Sequence, residues 1–254
     1  MLPFADKELG QHFLKDDKVI QAICHDFNDK AQIILEVGPG PGILTKHLTK
    51  HKKPFYVFEK DARFPEILKD FVAEQNIFLG DATKIDWNEF LKDKKQVTDK
   101  VWLVSNLPYN VSVPLFISFL TCGEIEFLTL MFQKEVAERV CARDGKESLL
   151  SLSVKVYGEP KLIYRVNKGS FNPIPKVDSA VLQIKNISRK NFKDISHEET
   201  FFKLIHAAFA HKRKFAISNI ESVFPNIDIP SLFNTLEISP KVRAEDVSLD
   251  TWVQ

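Results

Sequence analysis

Short apolar runs alternate with segments of helical period between residues 33 and 184 of this 254-residue chain. The apolar runs predict strands at residues 33–37, 55–59, 77–79, 101–105, 127–132, 152–157 and 180–184. Helical spacing fills the gaps at residues 43–51, 63–71, 113–120 and 134–142. Strands that alternate with helices are typical of a parallel sheet covered on both faces, so we expect an α/β fold.

The pattern changes after Ile184. A polar stretch over residues 185–194 is followed by segments of helical spacing, such as 201–210 and 215–223, and strand-like runs cease. This change predicts a domain boundary near residue 188. We therefore expect a sheet-containing domain of residues 1–187 and a small all-helical domain of residues 188–254.

Composition excludes several classes of protein. With 44% hydrophobic residues the chain can bury a core of normal size. Asp6, Lys7 and Glu8 stand where the apolar core of an export signal would lie, and no run approaches the roughly 18 apolar residues of a membrane span. The three cysteines form no C-x-x-C pair, which indicates neither a disulfide framework nor a thiolate zinc site. We expect a cytoplasmic protein that binds no metal and no membrane.

Charge is nearly balanced, and the formal net charge of +1 is weak for a nucleic-acid-binding protein. The distribution of charge therefore matters more than its sum. Lys212, Arg213 and Lys214 form a basic cluster, which we place on the first helical stretch of the second domain. Such a cluster is typical either of a phosphate-binding surface or of an ordinary solvated helix face, and the charge pattern leaves both open.

A glycine-rich turn follows the first predicted strand. That strand leads into G-P-G-P-G at residues 38–42 and then into a predicted helix. Glycines at such a turn let the backbone approach a ligand closely, which makes Gly38 a candidate ligand contact. Glu59 ends the next strand about 20 residues further on, where a carboxylate can accept hydrogen bonds from both ribose hydroxyls of a nucleoside cofactor. These features alone fit an NAD-dependent oxidoreductase equally well.

Two further acidic residues favour S-adenosylmethionine as the cofactor. Glu36 opens the pattern E-x-G-x-G-x-G, which resembles the first motif of class I methyltransferases more than the G-x-G-x-x-G of dinucleotide binders. The third strand ends in Gly80-Asp81-Ala82, which is similar to the methyltransferase motif whose aspartate holds the adenine amino group of the cofactor. Both features argue against the oxidoreductase.

The fourth strand leads into Asn106-Leu107-Pro108-Tyr109, which resembles the target-base motif of adenine-N6 methyltransferases. An exocyclic adenine amine is a poor nucleophile because its lone pair is delocalised into the ring, so it has to be oriented toward the methyl group. The Asn106 side-chain oxygen and the Leu107 carbonyl can accept its two N–H bonds, and Pro108 stiffens the turn. Tyr109 can stack on a base swung out of its helix.

Further motifs carry the same resemblance from residue 10 to about residue 250. They are G-Q-H-F-L at 10–14, Q-K-E-V at 133–136, F-N-P-I-P-K-V-D-S-A-V at 171–181, A-F-A-H-K-R-K at 208–214 and R-A-E-D at 243–246. By these motifs the chain is identified as a member of the small-subunit ribosomal RNA adenine-N6,N6 dimethyltransferases. The resemblance implies a Rossmann-like class I methyltransferase sheet with a small all-helical C-terminal domain.

The resemblance also implies roles for individual residues. The implied contacts to S-adenosylmethionine are His12, Leu14, Gly38, Glu59, Asp81 and Asn106. Phe171 is expected to form a second aromatic wall that faces Tyr109 across the target adenine. The residues expected to meet RNA phosphates are Arg139, Arg143, Lys146, Lys212, Arg213 and Lys214.

Two positions depart from the family pattern. His12 stands where the family usually has asparagine, so an imidazole or the backbone has to supply that polar contact. Leu149 and Leu150 stand where the family commonly has Tyr-Gly, which leaves the order of the loop at residues 144–151 open.

The expected reaction is transfer of methyl groups from S-adenosylmethionine to N6 of two adjacent adenosines near the 3′ end of small-subunit (16S) ribosomal RNA, in an immature particle. We expect a cytoplasmic monomer that relies on orientation rather than on a strong base. One alternative is the related large-subunit adenine methyltransferase, which D-S-A-V at residues 178–181 disfavours. Another is a non-catalytic RNA-binding or assembly factor, which the complete cofactor and target motifs disfavour.

Overall fold

A computed structural model describes residues 3–6, 8–27, 29–142 and 145–254, the side chain of residue 110 excepted. The chain divides into two compact units. The first unit runs to Ala137 and resumes over Glu159–Ile187, and the second comprises Glu138–Gly158 and Ser188–Gln254. The helical unit thus includes a segment from the middle of the chain, which the sequence pattern does not reveal. The division of the chain into domains at residues 187 and 188 stays a prediction.

Strands dominate the first unit. They are β1 (Phe13–Leu14), β2 (Ile33–Val37), β3 (Phe55–Glu59), β4 (Ile77–Leu79), β5 (Val101–Ser105), β6 (Phe127–Gln133), β7 (Glu159–Val166), β8 (Phe171–Asn172) and β9 (Ser179–Lys185). The helices of the unit are α1 (Asp17–Cys24), α2 (Thr45–Leu48), α3 (Pro65–Leu68), α4 (Trp87–Lys92) and α5 (Tyr109–Thr121). α6 (Lys134–Val140) carries the chain across the division between the units.

Seven of these strands form one sheet in the order β4-β3-β2-β5-β6-β9-β7. β4, β3, β2, β5 and β6 run parallel, whereas β9 is antiparallel to both β6 and β7. The expectation of a parallel sheet is therefore wrong at this edge. There, β9 follows β7 without an α-helix between them, as antiparallel neighbours can. β1 and β8 pair antiparallel in a separate two-stranded ladder.

The central strands are buried on both faces. All five residues of β2 and all five of β5 are buried, as expected for parallel strands covered by helices. Beneath the sheet, Trp102 Nε1 donates to Thr129 Oγ1 at 2.8 Å, and Thr129 Oγ1 donates to Asp26 Oδ2 at 2.7 Å. This chain of bonds satisfies the indole N–H that the core would otherwise leave without a partner.

A predicted strand at residues 152–157 is wrong. This stretch lies mostly in α7 (Leu149–Lys155), and the neighbouring strand is β7. Ser148 accepts a hydrogen bond from the Ser151 N–H, and Ser151 Oγ accepts one from the Ser148 N–H, which together form a capping box. The cap starts a helix in a run whose apolar composition alone favours a strand. Leu149 and Leu150, which depart from the family pattern, form its first turn.

The second unit is helical. Besides α7 it contains α8 (Ile195–Ala208), α9 (Ala216–Glu221), α10 (Ile229–Thr235) and α11 (Leu249–Val253). The buried carboxylate of Glu147 pairs with Lys155 and accepts a hydrogen bond from Ser151 Oγ at 2.6 Å. Phe192 packs edge-to-face on Phe201, with ring centroids 5.5 Å apart. Across both units, the helices in the described residues are too short or too polar to span a bilayer.

Candidate active site

The carboxyl ends of β2, β3, β4 and β5 open into one cleft of the first unit. β2 lies between β3 and β5, so the chain leaves the sheet in opposite directions there, and ligands of α/β proteins bind at such a switch point. The cleft encloses about 1190 Å³ of space between atoms, its open mouth included. Its lining includes His12, Leu14, Gly38, Glu59, Asp81, Asn106, Leu107, Pro108 and Tyr109.

The glycine-rich turn after β2 adopts left-handed backbone conformations. Gly38 has a φ of 70° and Gly40 a φ of 56°, values that glycine reaches without strain. The Gly38 N–H donates to the Phe58 carbonyl, and the Gly40 N–H donates to Glu59 Oε2, both at 2.8 Å. A Cβ at Gly40 would lie 3.4 Å from the Phe13 ring. The turn therefore needs glycine for its φ angles, whereas a Cβ at Gly40 would only touch that ring at an ordinary contact distance.

Glu59 is a buried carboxylate held by backbone N–H groups. Its Oε2 accepts the bond from Gly40, and its Oε1 accepts bonds from the N–H groups of Lys60 and Asp61, each at 2.8 Å. Burial raises the pKa of Glu59, while these three bonds favour the charged form. The bonds fix the orientation of the carboxylate before any ligand binds. Because each carboxylate oxygen offers two lone pairs, Oε2 can also accept a hydrogen bond from a ligand hydroxyl.

Glu36 lies beneath the same turn with 1% of its surface exposed. Thr45 Oγ1 donates to Glu36 Oε2 at 2.7 Å. Burial raises the pKa of Glu36 to about 8, which that hydrogen bond only partly opposes. The carboxyl group is therefore largely protonated at neutral pH in the free protein.

Asp81 follows β4 and caps the short 3-10 turn Ala82–Lys84. Its Oδ1 accepts bonds from the Thr83 N–H at 3.0 Å and from Thr83 Oγ1 at 2.7 Å. Its Oδ2 pairs with Lys60 Nζ at 3.0 Å. These contacts, the Thr83 hydroxyl first, lower the pKa of Asp81 to about 2. Asp81 is therefore charged at neutral pH and can accept a hydrogen bond from an amino group.

Hydrogen bonds fix the N-terminal segment beside the end of the cleft that Gly38, Glu59 and Asp81 line, which we call the cofactor end. Gln11 Nε2 donates to Asp61 Oδ2 at 2.8 Å, and Arg63 pairs with the same carboxylate. Hydrogen bonds from Arg63 lower the pKa of Asp61 to about 2. β1 holds the following residues through its ladder with β8. Residues 8–14 consequently line the cleft as an ordered wall.

The target motif lies where β5 passes into α5. Pro108 precedes the first residue of the helix, Tyr109, and has a φ of −56°. Asn106 Nδ2 donates to the His12 carbonyl at 3.3 Å, which turns the Oδ1 atom away from that carbonyl. The Tyr109 hydroxyl lies 2.5 Å from Ser179 Oγ. The asparagine and the tyrosine are thus both oriented by residues distant in the sequence.

Phe171 does not lie at the cleft. Its side chain is fully buried, with 0% exposure, in the hydrophobic core of the first unit, and its backbone pairs with Leu14. Phe171 is not among the described residues that line the cleft. The ring of Phe171 packs in the core of this structure, and its expected role as a wall that faces Tyr109 across the adenine stays a prediction.

A family comparison decides what kind of protein carries this cleft. The model of the ribosomal RNA adenine dimethylase family matches residues 5–254. The chain belongs to this family. The resemblance that the motifs indicate is thereby confirmed.

Two relatives agree with this assignment. The dimethylase is 37% identical to a "Ribosomal RNA small subunit methyltransferase A" of Clostridium botulinum, over 96% of this chain and 90% of the relative. It is 35% identical to the protein of the same name from Fusobacterium nucleatum, over 98% and 95%.

Solved structures confirm the class I methyltransferase fold. A dimethyladenosine transferase from Plasmodium falciparum matches with a TM-score of 0.77 at 23% identity, over 95% of each chain. The 23S rRNA methyltransferase ErmE matches with a TM-score of 0.69 at 19% identity, over 95% of this chain and 96% of that one. At these identities the likeness concerns the fold.

The expected RNA-contacting residues of the dimethylase lie outside the cleft lining. Those in the described chain are exposed and belong to the second unit; they are Arg139, Lys146, Lys212, Arg213 and Lys214. Arg143 lies outside the described residues. The expected helical placement of residues 212–214 is wrong, because α8 ends at Ala208 and α9 begins at Ala216. The buried Asn219 holds the resulting basic turn (residues 212–214) by donating to the Ala208 and His211 carbonyls at 2.7 and 3.1 Å.

Lys60 and Gln11 are site residues of the dimethylase that the sequence analysis missed. Lys60 binds Asp81, and Gln11 holds the N-terminal segment through Asp61. The position of Lys60 directly after Glu59 was a usable signal, since residues that end parallel strands meet at one edge of the sheet. Gln11 offered no such signal because its partner lies 50 positions away.

Proposed function

We propose that this dimethylase transfers methyl groups from S-adenosylmethionine to N6 of two adjacent adenosines near the 3′ end of small-subunit (16S) ribosomal RNA. The observation that carries the proposal is the convergence of Glu59, Asp81, Asn106 and Tyr109 on one cleft. The relatives named for the small subunit support that choice of RNA over the large-subunit alternative. The enzyme would act as a cytoplasmic monomer on an immature particle.

The cofactor end of the cleft has the donor and acceptor groups that S-adenosylmethionine requires. Glu59 offers a fixed acceptor for a ribose hydroxyl, Asp81 offers one for the adenine amino group, and the turn at Gly38 allows close approach of the backbone. Leu14 and His12 complete the expected contacts. When bound there, the cofactor supplies an electrophilic methyl group on its sulfonium.

The target motif orients the nucleophile. Asn106 is held through its Nδ2, so its Oδ1 is available to accept one N6–H bond, and the Leu107 carbonyl accepts the other. Holding both N–H bonds aims the N6 lone pair at the methyl group and converts an encounter into a near-attack arrangement. The N6–C bond forms as the S–C bond breaks, and the alkylated nitrogen then loses one proton to water. A strong base is not required because alkylation makes that proton acidic.

Labelled-cofactor methylation tests the substrate. Purified immature small-subunit particles, large-subunit particles and protein-free ribosomal RNA would be offered in parallel, and the modified bases mapped. We expect methylation of two adjacent adenosines in the small-subunit particle. Modification of the large-subunit particle alone would contradict the proposal, and binding of the particle without methylation would favour an assembly factor.

The basic turn is the proposed contact to RNA phosphates, with Arg139, Arg143 and Lys146. Its support is the exposure of residues 212–214 and their fixation by the buried Asn219. Neutralising Lys212, Arg213 and Lys214 together should weaken particle binding and flatten the slope of log affinity against log salt by up to about 2 units.

A filter-binding salt series measures this slope, with cofactor affinity, expected to stay constant, as the control. An unchanged slope would mean that the basic turn is an ordinary solvated surface.

A further inference from the structure

The structure describes all the phenylalanines of the second unit, and one of them is exposed. Phe215 has 43% of its surface exposed, whereas the other phenylalanines of the unit are buried or half-buried. Phe201 and Phe202, for example, pack edge-to-face with ring centroids 5.3 Å apart. A single exposed apolar side chain is ordinary on a protein surface, so the surroundings of the ring decide whether it has a role.

The ring of Phe215 does not cap the helix that follows it. Phe215 directly precedes α9, and its side chain makes no capping hydrogen bond there. By contrast, Asp194 caps α8 and Ser248 caps α11 through side-chain hydrogen bonds. A small polar residue would satisfy an N–H group at this position, which a phenyl ring cannot do. The sequence therefore departs from a local rule to expose an aromatic ring, and such departures are typical of functional positions.

The basic turn directly precedes Phe215 in the chain, and a second basic segment lies beside it. The Ala216 N–H donates to the Val242 carbonyl at 2.9 Å, which joins the start of α9 to that segment. Lys241 and Arg243 flank Val242 there. The five cations of the two segments are exposed, and within the described chain none of them pairs with a carboxylate. Two carboxylates belong to the same segments, those of Glu245 and Asp246. Positive charge therefore prevails around the ring.

An exposed ring between cations has the chemistry of a surface that binds single-stranded RNA. In such surfaces the cations meet the phosphates, and a base stacks on the ring. Folded RNA offers unpaired bases in its loops and bulges. An apolar protein surface would not need the surrounding cations, so the charge favours RNA over a protein as the partner of Phe215.

We propose that the phenyl ring of Phe215 stacks on an unpaired base of the RNA whose phosphates the basic turn meets. The proposal rests on the proposed function, because it takes ribosomal RNA as the partner. Phe215 lies outside the cleft lining, so this base is not the one that is methylated. The contact would add a preference for an unpaired base at this place, which phosphate contacts alone cannot supply.

Three variants at residue 215 separate the ring from apolar area and from stability. Phe215→Tyr keeps a ring, Phe215→Leu keeps an apolar side chain without a ring, and Phe215→Ser supplies a hydroxyl that can cap α9. The matched control is Leu232→Ala, which removes another exposed apolar side chain of the second unit. We would measure the Kd for immature small-subunit particles over a salt series, the cofactor Kd and the melting temperature.

We expect Phe215→Leu and Phe215→Ser to raise the particle Kd by about 5- to 150-fold, the range that loss of one stacked base produces. The slope of log affinity against log salt should stay unchanged, because the ring carries no charge and releases no counterion. Phe215→Tyr and Leu232→Ala should bind like the wild type. The cofactor Kd should not move in any variant, and the melting temperature of Phe215→Ser should not fall.

Wild-type affinity in Phe215→Ser or in Phe215→Leu would overturn the proposal, because the ring would then not be needed. So would a flattened salt slope, or a lowered melting temperature in Phe215→Ser, since either would mean that the substitution disturbs the basic turn itself. A photoreactive phenylalanine at position 215 should cross-link to RNA of the bound particle. A cross-link to a ribosomal protein alone would also overturn the proposal.

Failure of the proposed function gives a different result. Binding of the particle without methylation would contradict the proposed reaction, while the ratios of Kd between variants would still test Phe215. If the wild type binds and methylates large-subunit particles instead, the choice of RNA is wrong, and the same ratios test Phe215 on that RNA. A wild type that binds neither particle contradicts both.

Discussion

The cofactor end and the target end of the cleft are assembled in different ways. At the cofactor end, backbone and side-chain groups at the ends of successive parallel strands bind each other across short stretches of sequence. Gly40 and Glu59 are 19 positions apart, and Lys60 and Asp81 are 21 positions apart. One helix and one strand separate the partners in each pair, so the strand order brings them together.

At the target end, the partners are much further apart in the sequence. Asn106 is bonded to His12 across 94 positions, Tyr109 to Ser179 across 70, and His12 to Pro173 across 161. Base binding therefore depends on how the N-terminal segment and the β8–β9 segment meet α5. The contrast teaches that cofactor affinity and base orientation should be separable by mutation.

The largest expected effect is at Asn106. Asn106→Ala should lower methylation by at least about 100-fold, because lost orientation of N6 acts mainly on the transition state. Cofactor Kd should stay within a few-fold of the wild type, as single-turnover rates and calorimetry on the same preparations would show. Asn234→Ala, an exposed change in the second unit, is the control. Near-normal turnover in Asn106→Ala would contradict the proposed role of Asn106 in orienting N6.

Glu59 should show the reverse behaviour. Glu59→Ala removes a fixed acceptor and should raise the cofactor Kd by about 10- to 150-fold, as expected for a hydrogen bond to a charged group. The turnover of cofactor-saturated enzyme should fall much less. Glu66→Ala, which removes an exposed carboxylate outside the cleft lining, should leave the Kd unchanged. If calorimetry gives the same cofactor Kd for Glu59→Ala and the wild type, the cofactor binds elsewhere.

Tyr109 distinguishes ring from hydroxyl. Tyr109→Ala should lower kcat/KM by about 5- to 150-fold through lost stacking. Tyr109→Phe removes only the bond to Ser179 and should cost at most about 10-fold. If both substitutions do equal damage to kcat/KM, the hydroxyl rather than the ring face is what matters.

The smallest effect concerns stability at the cofactor end. Since the pKa of Glu36 is raised to about 8 in the folded protein, its protonated form favours folding. That contribution is complete below the ordinary pKa of about 4.3 and is lost as the pH rises through the folded value. The melting temperature of the wild type should therefore fall relative to that of Glu36→Gln between about pH 5 and pH 9. Melting temperatures of both proteins would be measured across this range. If the difference between them did not change with pH, Glu36 would be ionised in the folded protein, contrary to this prediction.

The buried parallel strands were predicted from sequence with their observed bounds. β2, β3 and β5 are short apolar runs between turns, and burial on both faces makes such runs conspicuous. The bounds of β4 were also predicted, although this edge strand is only half-buried or exposed. β7 was missed because its residues are mostly exposed or half-buried, so neither an apolar run nor a clean alternation marks it. α7 was misread because its apolar residues outweighed the cap at Ser148.

The site was predictable where it depends on strand order. The residues expected to contact the cofactor and the segment at residues 106–109 all line one cleft, and their roles there stay predictions. A motif shows that an aromatic residue is present but not which way its ring faces, and the ring of Phe171 faces the core here. The ring contact between His12 and Tyr109 joins residues far apart in the sequence and is visible only in three dimensions.

The pairing of β1 with β8 also sets the order in which the enzyme can be completed during its own synthesis. His12 and its partner Pro173 are 161 positions apart, which at roughly 5–20 residues per second corresponds to a delay of roughly 8–32 s on the ribosome. During much of that interval the nascent chain can hold the glycine turn and Glu59, while β1 lacks its partner strand β8. The N-terminal wall of the cleft is therefore complete only after about two thirds of the 254-residue chain has been made.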